Sequence, residues 1–258
     1  MSDPPIAIGS RLARFQGILT LGLRPNFGDY PPAHQALIRR AHTIYFPTNA
    51  YAAQFAAMGK RIFPSLESHL YESDKIKQTA LLNVFGLAHP RTRVFWGRQC
   101  REIIDYFTFP FVAKTPRGSA KGRGVFLIRD QAELDRYLAN NHPAYIQEWL
   151  EIDRDIRVVV IGFEPVCSYW RVAPDGGWIT NVARGGRVVF GGVPGSAVEL
   201  AVEAARLANF DDVGVDVVMR GGEPMILEFN FKYGTAGPRQ AGIDLRAVLA
   251  AKILDGCL

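Results

Sequence analysis

The strongest constraint on the fold lies towards the end of the chain, where two apolar stretches flank a pair of glycines. Residues 212–220 have the sequence DVGVDVVMR and residues 223–230 have the sequence EPMILEFN, with Gly221 and Gly222 between them. Paired glycines between such stretches favour a tight turn that joins antiparallel strands, because glycine adopts the positive φ angles that these turns require. We therefore expect a β-hairpin over residues 212–230.

Three polar side chains interrupt this otherwise apolar hairpin. Glu228 and Asn230 are two residues apart, so both leave the same face of their strand, and Asp216 lies within reach on the partner strand. Oxygen ligands on neighbouring strands suit Mg²⁺, which also takes oxygens from a bound phosphate. The alternative is that these groups pair with Arg157 or Arg171, because an unpaired carboxylate is strongly disfavoured in a core.

A second glycine-rich segment joins two shorter apolar stretches. FPFVAK (109–114) and VFLI (125–128) predict a pair of strands, with TPRGSAKGRG as the loop between them. Glycines allow backbone N–H groups to approach phosphate oxygens, and Lys114 is costly to bury without an anionic partner. The loop is neither a P-loop nor a dinucleotide fingerprint. We interpret it as a flap over a triphosphate; a basic hairpin turn, with Lys114 at a frayed strand end, is the alternative.

The other segments predict short strands alternating with helices. Strands are expected over 144–150 and, as an antiparallel pair, within 157–172. Ser73 and the S-x-x-E sequence at Ser196 are expected to cap helices, and a helix is expected over 243–254. Strands that arrive in hairpins with helices between them predict an α+β fold with largely antiparallel sheets. Residues 1–70 are rich in proline and predict a small α/β or irregular region.

Three arginines lie on or beside the strands of the second half of the chain: Arg157, Arg171 and Arg184. Guanidinium groups suit the γ-phosphate of a nucleotide, a phosphoryl group in transfer or a substrate carboxylate. This interpretation assumes that the three side chains converge on one site.

Composition and motifs exclude several other classes of protein. The chain has 30 Lys and Arg against 25 Asp and Glu, and this net charge of +5 fits an anionic ligand but is too scattered to indicate nucleic acid. The three separated cysteines offer no disulfide framework or zinc site, and serine-nucleophile motifs are absent. No stretch approaches the roughly 18 apolar residues that span a membrane, and the N-terminus lacks a signal pattern. We expect a cytoplasmic protein without a nucleic-acid or membrane partner, and a homo-oligomer remains open.

The order of these elements resembles the ATP-grasp superfamily, and most closely its RimK-like carboxylate–amine ligases. The resemblance covers residues 71–258 and is carried by segments that occur in register: SDKIKQTALLNVFGL, FVAKTPRGSAKGRGV, YIQEWL, DIR, NVARGG, and GVD with LEFN. It implies an ATP-grasp fold, in which two α+β lobes with antiparallel sheets grip ATP. The flap lobe would occupy about 105–150 and the metal-binding lobe about 151–258, after a short N-terminal region of residues 1–70.

The resemblance also implies the site residues. Lys114 would contact the nucleotide phosphates, and Glu148 and the backbone of Trp149 the adenine. The implied nucleotide-binding set is Lys75, Lys114, Gly118, Ser119, Gly122, Gly124, Gln147, Glu148, Trp149, Leu150 and Asp155. The resemblance places Asn181 near the phosphoryl end, where it joins Arg157, Arg171 and Arg184 as a candidate catalytic residue. The implied ligands of Mg²⁺ or Mn²⁺ are Asp216, Glu228 and Asn230.

The activity implied is an ADP-forming ligation. ATP phosphorylates a carboxylate, and an amine attacks the resulting acyl phosphate, for example to add an amino acid to a peptide or a small acid. A phosphotransferase that leaves the phosphoryl group on its acceptor is one alternative. A nucleotide-binding regulatory module without turnover is another, although the complete set of metal ligands argues against it.

Two positions depart from the family pattern. Ile179 stands where the family has an arginine, two residues before the asparagine of the NVARGG turn, and Lys232-Tyr233 replaces a Ser-Pro pair. Arg171 or Lys232 could supply the missing charge. The N-terminal region is also shorter than the domain that usually precedes this fold.

Overall fold

The computed structural model of the chain describes residues 3–118, 124–175, 177–182 and 185–258. In these residues three β-sheets follow one another along the chain. The first sheet has the strand order β2-β1-β3-β4, and its neighbouring strands are parallel. Its elements are β1 (Ile6–Ala7), β2 (Leu19–Thr20), α1 (Pro32–Arg40), β3 (Thr43–Tyr45), α2 (Thr48–Ala57) and β4 (Arg61–Phe63), followed by α3 (Leu66–Tyr71). The N-terminal region is thus an α/β layer, because parallel strands need crossover connections.

The second sheet is antiparallel and contains the predicted flap hairpin. Its order is β5-β8-β6-β7, and the hairpin register runs from Phe111 opposite Ile128 to Lys114 opposite Val125, as expected. Aromatic and aliphatic side chains such as Phe95 and Tyr137 form its core. Its elements are α4 (Lys75–Val84), β5 (Thr92–Phe95), α5 (Ile103–Tyr106), β6 (Phe111–Lys114), β7 (Val125–Ile128), α6 (Gln131–Leu138) and β8 (Ala144–Glu148).

The third sheet carries most of the polar residues singled out above. Its order is β11-β10-β9-β12-β13, with antiparallel neighbours throughout, and the hairpin at Gly221 and Gly222 is confirmed. Its elements are β9 (Arg154–Ile161), β10 (Glu164–Val172), β11 (Arg187–Val189), α7 (Gly195–Leu207), β12 (Asp212–Arg220) and β13 (Glu223–Asn230), followed by α8 (Ala236–Gln240) and α9 (Leu245–Leu254).

The two faces of β12 have different partners, because side chains alternate along a strand. Val213, Val215 and Val217 belong to a core that includes the alanine face of α7. On the other face of the sheet, Val159 and Ile161 of the neighbouring strand β9 pack with residues from the first sheet and from α9. The third sheet therefore lies between α7 and the N-terminal layer. Its polar residues lie beside the second sheet.

Both predicted serine caps are wrong. Asp74 caps α4 instead of Ser73, because its Oδ1 accepts hydrogen bonds from the backbone N–H groups of Ile76 and Lys77, both at 3.1 Å. The helix that Ser196 was predicted to cap begins at Gly195, so Pro194 occupies the cap position two residues before Ser196, and no side chain caps the helix. At α4 the cap is a carboxylate that accepts two hydrogen bonds, and at α7 the cap position holds a proline, whose φ is fixed.

None of the helices in the described residues combines the length and apolar character needed to cross a lipid bilayer.

Candidate active site

Two adjoining cavities open between the second and third sheets. The larger has a volume of about 700 Å³ and the smaller about 130 Å³. Four residues line both: Val125, Arg171, Asn181 and Glu228. A ligand that extends from one cavity into the other would therefore pass these four side chains.

Asp216 lies at the centre of a hydrogen-bonded cluster on the third sheet. In the strand register it stands opposite Arg157 on one side and Glu228 on the other. Arg157 donates to both of its carboxylate oxygens, and Arg171 Nη2 lies 2.8 Å from Oδ2. Asn230 Nδ2 donates to the same Oδ2 at 2.9 Å. For Asp216 the structure thus shows the arginine pairing that was the alternative to direct metal binding.

A second buried carboxylate shares one of these arginines. Arg171 donates from Nε and Nη2 to the two oxygens of Asp155, at 2.7 and 2.6 Å, and Thr180 Oγ1 donates to Oδ2 at 2.6 Å. Arg171 therefore bridges Asp155 and Asp216. Burial alone raises the pKa of Asp216, but Arg157 and Arg171 outweigh it and hold the pKa below its ordinary value. The cluster is charged and internally compensated.

Two lysines approach Glu228 from the opposite side of the cleft. Lys75 Nζ lies 3.7 Å from Glu228 Oε2. Lys114 is only 8% exposed, and burial lowers its pKa, while Glu228 raises it and Lys75 lowers it further. A buried ammonium group is stabilised by an anionic ligand. Lys75 and Lys114 are therefore suited to hold phosphate oxygens at the junction of the cavities.

The smaller cavity has a mostly apolar wall with two indole rings. Trp149 and Trp178 meet edge to face, with ring centroids 5.0 Å apart, and Leu150 and Leu227 also line the space. Such a wall accommodates a flat aromatic ring.

Polar residues of β8 form another part of this wall. Gln147 Nε2 donates to Thr92 Oγ1 at 2.9 Å. Glu148 Oε1 accepts from the Arg91 backbone N–H at 2.8 Å and from Arg220 Nη1 at 3.1 Å. Both side chains line the smaller cavity, but they are already hydrogen-bonded within the protein.

The base of the flap is tied to the start of α4. The backbone N–H of Gly118 donates to Ser73 O at 3.0 Å, and that of Lys75 donates to Pro116 O at 3.0 Å. Gly118 and Gly124 have φ angles of 67° and 75°, which glycine adopts easily. The predicted site residues Ser119, Gly122 and Arg184 lie outside the described residues.

The polar residues of the site could supply one or two oxygen ligands to Mg²⁺. Within the described part of the chain, no group of three or more His, Cys, Asp or Glu side chains is arranged to hold a metal ion. Glu228 lines both cavities, and Asn230, which donates to Asp216 through Nδ2, has its amide oxygen as the other polar atom. Mg²⁺ in phosphate sites often takes only one or two protein oxygens and completes its shell with phosphate and water. Glu228 and Asn230 fit that arrangement, and direct binding by Asp216 stays a prediction.

Three site residues were not found from the sequence. Thr180 binds Asp155, and Trp178 lines the smaller cavity. The amide of Gln78 on α4 donates to Phe229 O and accepts from Phe229 N, both at 3.1 Å, which fixes α4 against β13. Gln78 is one of two polar residues, with Thr79, among the buried positions of α4, whereas Thr180 and Trp178 carried no local signal.

Comparison with known proteins decides the family. A family model described as the RimK-like ATP-grasp domain matches residues 72–253. The ribosomal protein bS6–L-glutamate ligase of Shigella boydii serotype 4 (strain Sb227) is 30% identical over 224 residues, which cover 83% of this chain and 74% of that protein. The chain belongs to the RimK-like ATP-grasp family. Family membership identifies it as an ATP-dependent ligase that forms carbon–nitrogen bonds.

Solved structures show the same fold. The RimK domain ATP-grasp protein from Sphaerobacter thermophilus DSM 20745 superimposes with a TM-score of 0.69 at 16% identity, and covers 96% of this chain and 98% of that one. The ATP-grasp ligase PsnB, in a complex with a minimal precursor, Mg and ADP, gives a TM-score of 0.71 at 17% identity, with 98% and 97% covered. The D-alanine–D-alanine ligase of Bacillus anthracis gives 0.67 at 13% identity, with 92% and 85% covered. The α+β ATP-grasp fold expected from the sequence is confirmed.

Proposed function

We propose that this RimK-like ATP-grasp ligase joins a carboxylate to an amine through an acyl phosphate, with Mg²⁺–ATP bound across the two cavities. The observation that carries the proposal is the position of Glu228. It lines both cavities, faces Lys75 at 3.7 Å, and stands opposite Asp216 in the strand register. A triphosphate that passes Glu228 would have lysines on one side and the arginine–carboxylate cluster on the other.

The smaller cavity is the proposed site of the nucleotide base. Its apolar lining and its two tryptophans suit adenine, and the β8 end at Glu148 and Trp149 offers backbone groups for the edge of the base. Lys114 would then hold the phosphates where they leave this cavity. The PsnB complex, which contains Mg and ADP, supports an adenine nucleotide and magnesium for this chain.

The larger cavity is the proposed site of the acceptor. Besides Lys75 and Arg171 it is lined by residues 228–237, the segment that ends β13 and leads into α8. Its volume of about 700 Å³ is more than a single free amino acid needs, so a peptide or another extended acid fits it. The relatives support this assignment, because one is named for ligation to a ribosomal protein and PsnB binds a precursor peptide.

The chemistry requires positioning and charge neutralisation. A carboxylate oxygen of the acceptor attacks the γ-phosphorus, the bond to the bridging oxygen breaks and ADP departs. The amine nitrogen then attacks the acyl carbon, the bond to the phosphate oxygen breaks, and the nitrogen loses a proton to form the amide. Arg157 and Arg171 would hold the phosphoryl oxygens in place, and Glu228 and Asn230 would hold Mg²⁺, which neutralises phosphate charge when bound.

The two departures from the family pattern affect the acceptor side of this site. Lys232 lines the larger cavity only, forms an ion pair with Glu72 there, and has a side chain that is 81% exposed. Arg171 lies at the junction of the cavities. Of the two cations that could replace the arginine absent at Ile179, Arg171 is therefore the better placed.

A phosphate-release screen tests the proposal. The purified chain is incubated with Mg²⁺ and ATP, with pools of amino acids and of short peptides supplied separately and together, and products are identified by mass spectrometry. We expect phosphate release that requires both an acid and an amine, with a product heavier than the acid by the amine less one water. A stable phosphorylated acceptor would instead indicate the phosphotransferase, and nucleotide binding without turnover in any pool would contradict ligation.

A further inference from the structure

A buried polar cluster joins the N-terminal layer to the wall of the larger cavity. Arg11, which follows β1, donates from Nη1 to Asp212 Oδ2 at 2.6 Å and from Nη2 to the Tyr233 hydroxyl oxygen at 3.2 Å. The Tyr233 hydroxyl donates to the other oxygen of Asp212. The three side chains form a closed ring of hydrogen bonds that joins Arg11 to two residues more than 200 positions away in the chain.

The same face of β12 connects this ring to the charged cluster of the site. Asp212, Gly214 and Asp216 alternate along the strand and therefore share a face. A Cβ atom on Gly214 would lie 2.8 Å from Tyr233 Cβ and 3.1 Å from Arg157 Cδ, so a side chain there would collide with both. Tyr233 thus packs directly on β12, beside the arginine that binds Asp216.

Burial makes Arg11 necessary to this arrangement. The Asp212 side chain is fully buried, and burial raises its pKa above the ordinary value although Arg11 and the Tyr233 hydroxyl both lower it. An ionised carboxylate in such a place needs a cation and hydrogen bonds. The backbone of Arg11 is itself held, because Arg246 donates from Nε to Arg11 O and from Nη2 to Ala13 O, both at 2.9 Å.

We infer that Arg11 is a positioning residue for the acceptor cavity. It holds Tyr233 against β12 and thereby fixes the segment 231–237, all of whose residues line the larger cavity. The inference rests on the proposed function, because that cavity is the proposed acceptor site. It gives the N-terminal layer a role in the ligation, at the position where Lys232-Tyr233 replaces the Ser-Pro of the family pattern.

Hydrogen–deuterium exchange tests the structural part without any ligand. In Arg11→Met and in Tyr233→Phe, exchange in the segment 231–237 should rise by about tenfold or more, while exchange in α4 stays as in the wild type. Tyr233→Phe keeps the aromatic side chain and the Arg11–Asp212 ion pair and removes only the hydroxyl, so it separates anchoring of the segment from loss of folding. Arg14→Met, which removes an exposed arginine from the same loop, is the control and should leave the segment unchanged. Unchanged exchange of the segment in Arg11→Met would overturn the inference.

Steady-state kinetics test the functional part, with the amino-acid and peptide pools of the screen as the acceptor probe. The pool concentration that gives half-maximal phosphate release should rise roughly five- to twentyfold in Arg11→Met, with the half-saturating ATP concentration within about twofold of the wild type. Arg11→Lys keeps the charge but lacks the planar pair of donors. Its half-saturating pool concentration should therefore lie between those of the wild type and Arg11→Met. An equal rise for ATP and for the pool would show general damage and overturn the inference.

The two proposals fail in different ways. If the wild type releases no phosphate with any pool, the proposed function fails, and the exchange measurement still decides whether Arg11 anchors the segment. The other case is that the wild type is active and Arg11→Met has the same exchange in segment 231–237 and the same half-saturating pool concentration. The proposed function then stands, and the positioning role of Arg11 is wrong.

Discussion

Arg171 binds Asp216 at 2.8 Å although the two residues lie on strands that are not neighbours. Arg171 is on β10 and Asp216 on β12, and β9 runs between them in the sheet. Because Arg171 also binds Asp155, a single guanidinium is shared by two buried carboxylates, and Arg157 supplies the second positive charge. The centre of the candidate site is thus a structural ion cluster as well as a proposed phosphoryl site.

Replacing this arginine should destabilise the fold. Arg171→Met leaves Asp155 and Asp216 with one cation fewer in the core, and breaking a buried pair costs about 3–5 kcal/mol of unfolding free energy. Arg154→Met is the matched control, because Arg154 pairs with Asp153 at the surface, where a pair is worth at most about 1 kcal/mol. Urea denaturation of the three proteins measures the difference, and equal losses in the two variants would contradict the cluster.

Lys114→Ala should weaken nucleotide binding. The variant removes the buried ammonium group placed against the phosphates, and we expect the affinity for ADP in the presence of Mg²⁺ to fall about tenfold to a hundredfold. Isothermal titration calorimetry measures this affinity. Lys77→Ala, on the exposed side of α4, should bind ADP as the wild type does. If Lys114→Ala also binds ADP with the wild-type affinity, Lys114 does not contact the phosphates.

Trp178→Ala should weaken binding of the base and spare binding of the phosphates. Because Trp178 and Trp149 form one wall of the smaller cavity, loss of the ring should lower ADP affinity by about tenfold while tripolyphosphate binds as before. Trp96→Ala, which removes an indole that is 52% exposed, is the control. A parallel loss for both ligands would place the base elsewhere.

Glu228→Gln should remove turnover and retain the nucleotide. The amide keeps the shape of the side chain but not the charge that would hold Mg²⁺, so phosphate release should fall by about a hundredfold or more, with ADP affinity within about threefold. Glu223→Gln, at the exposed turn end of the same strand, should retain full activity. A Glu228→Gln enzyme at the wild-type rate would remove Glu228 from the metal site.

Asp211 should make the stability depend on pH. Burial raises the pKa of Asp211 from 3.8 to about 7, against the hydrogen bond that its carboxylate accepts from Ser65 N at 2.8 Å. Between these two values the native state holds a proton that the unfolded chain has released, so stability falls as pH rises towards 7. Asp211→Asn should abolish this loss, which amounts to up to about 3 kcal/mol between pH 5 and pH 8.

Urea denaturation of the wild type and of Asp211→Asn at both pH values isolates that carboxyl, because it is the only titratable group that the substitution removes. Identical pH profiles would show that Asp211 is ionised in the native state throughout.

The hairpins were predictable from the sequence because their signals are local. The Gly221-Gly222 turn and the alternation around Lys114 each need only a few neighbouring residues. The partners of Asp216 were not predictable in the same way. Whether its carboxylate meets a metal or an arginine depends on which strand lies beside β12, and β9 takes that place through long-range pairing.

The N-terminal layer was the least predictable part. Its strands have only two or three residues each, too few to show a period of alternation. The ring of Arg11, Asp212 and Tyr233 joins distant parts of the chain, so no sequence window contains it. Ser73 and Ser196 are not caps, because Asp74 and Pro194, one residue after and two residues before them, occupy the N-cap positions.

A crystal structure of the protein with Mg²⁺ and a non-hydrolysable ATP analogue tests the central proposal most directly. We predict the base beside Trp149 and Trp178, the phosphates between Lys114 and Glu228, and a metal ion held by Glu228 and Asn230. An empty cleft, with Glu228 still paired to Lys75 and Asp216 still bound by both arginines, would contradict the assignment of this site.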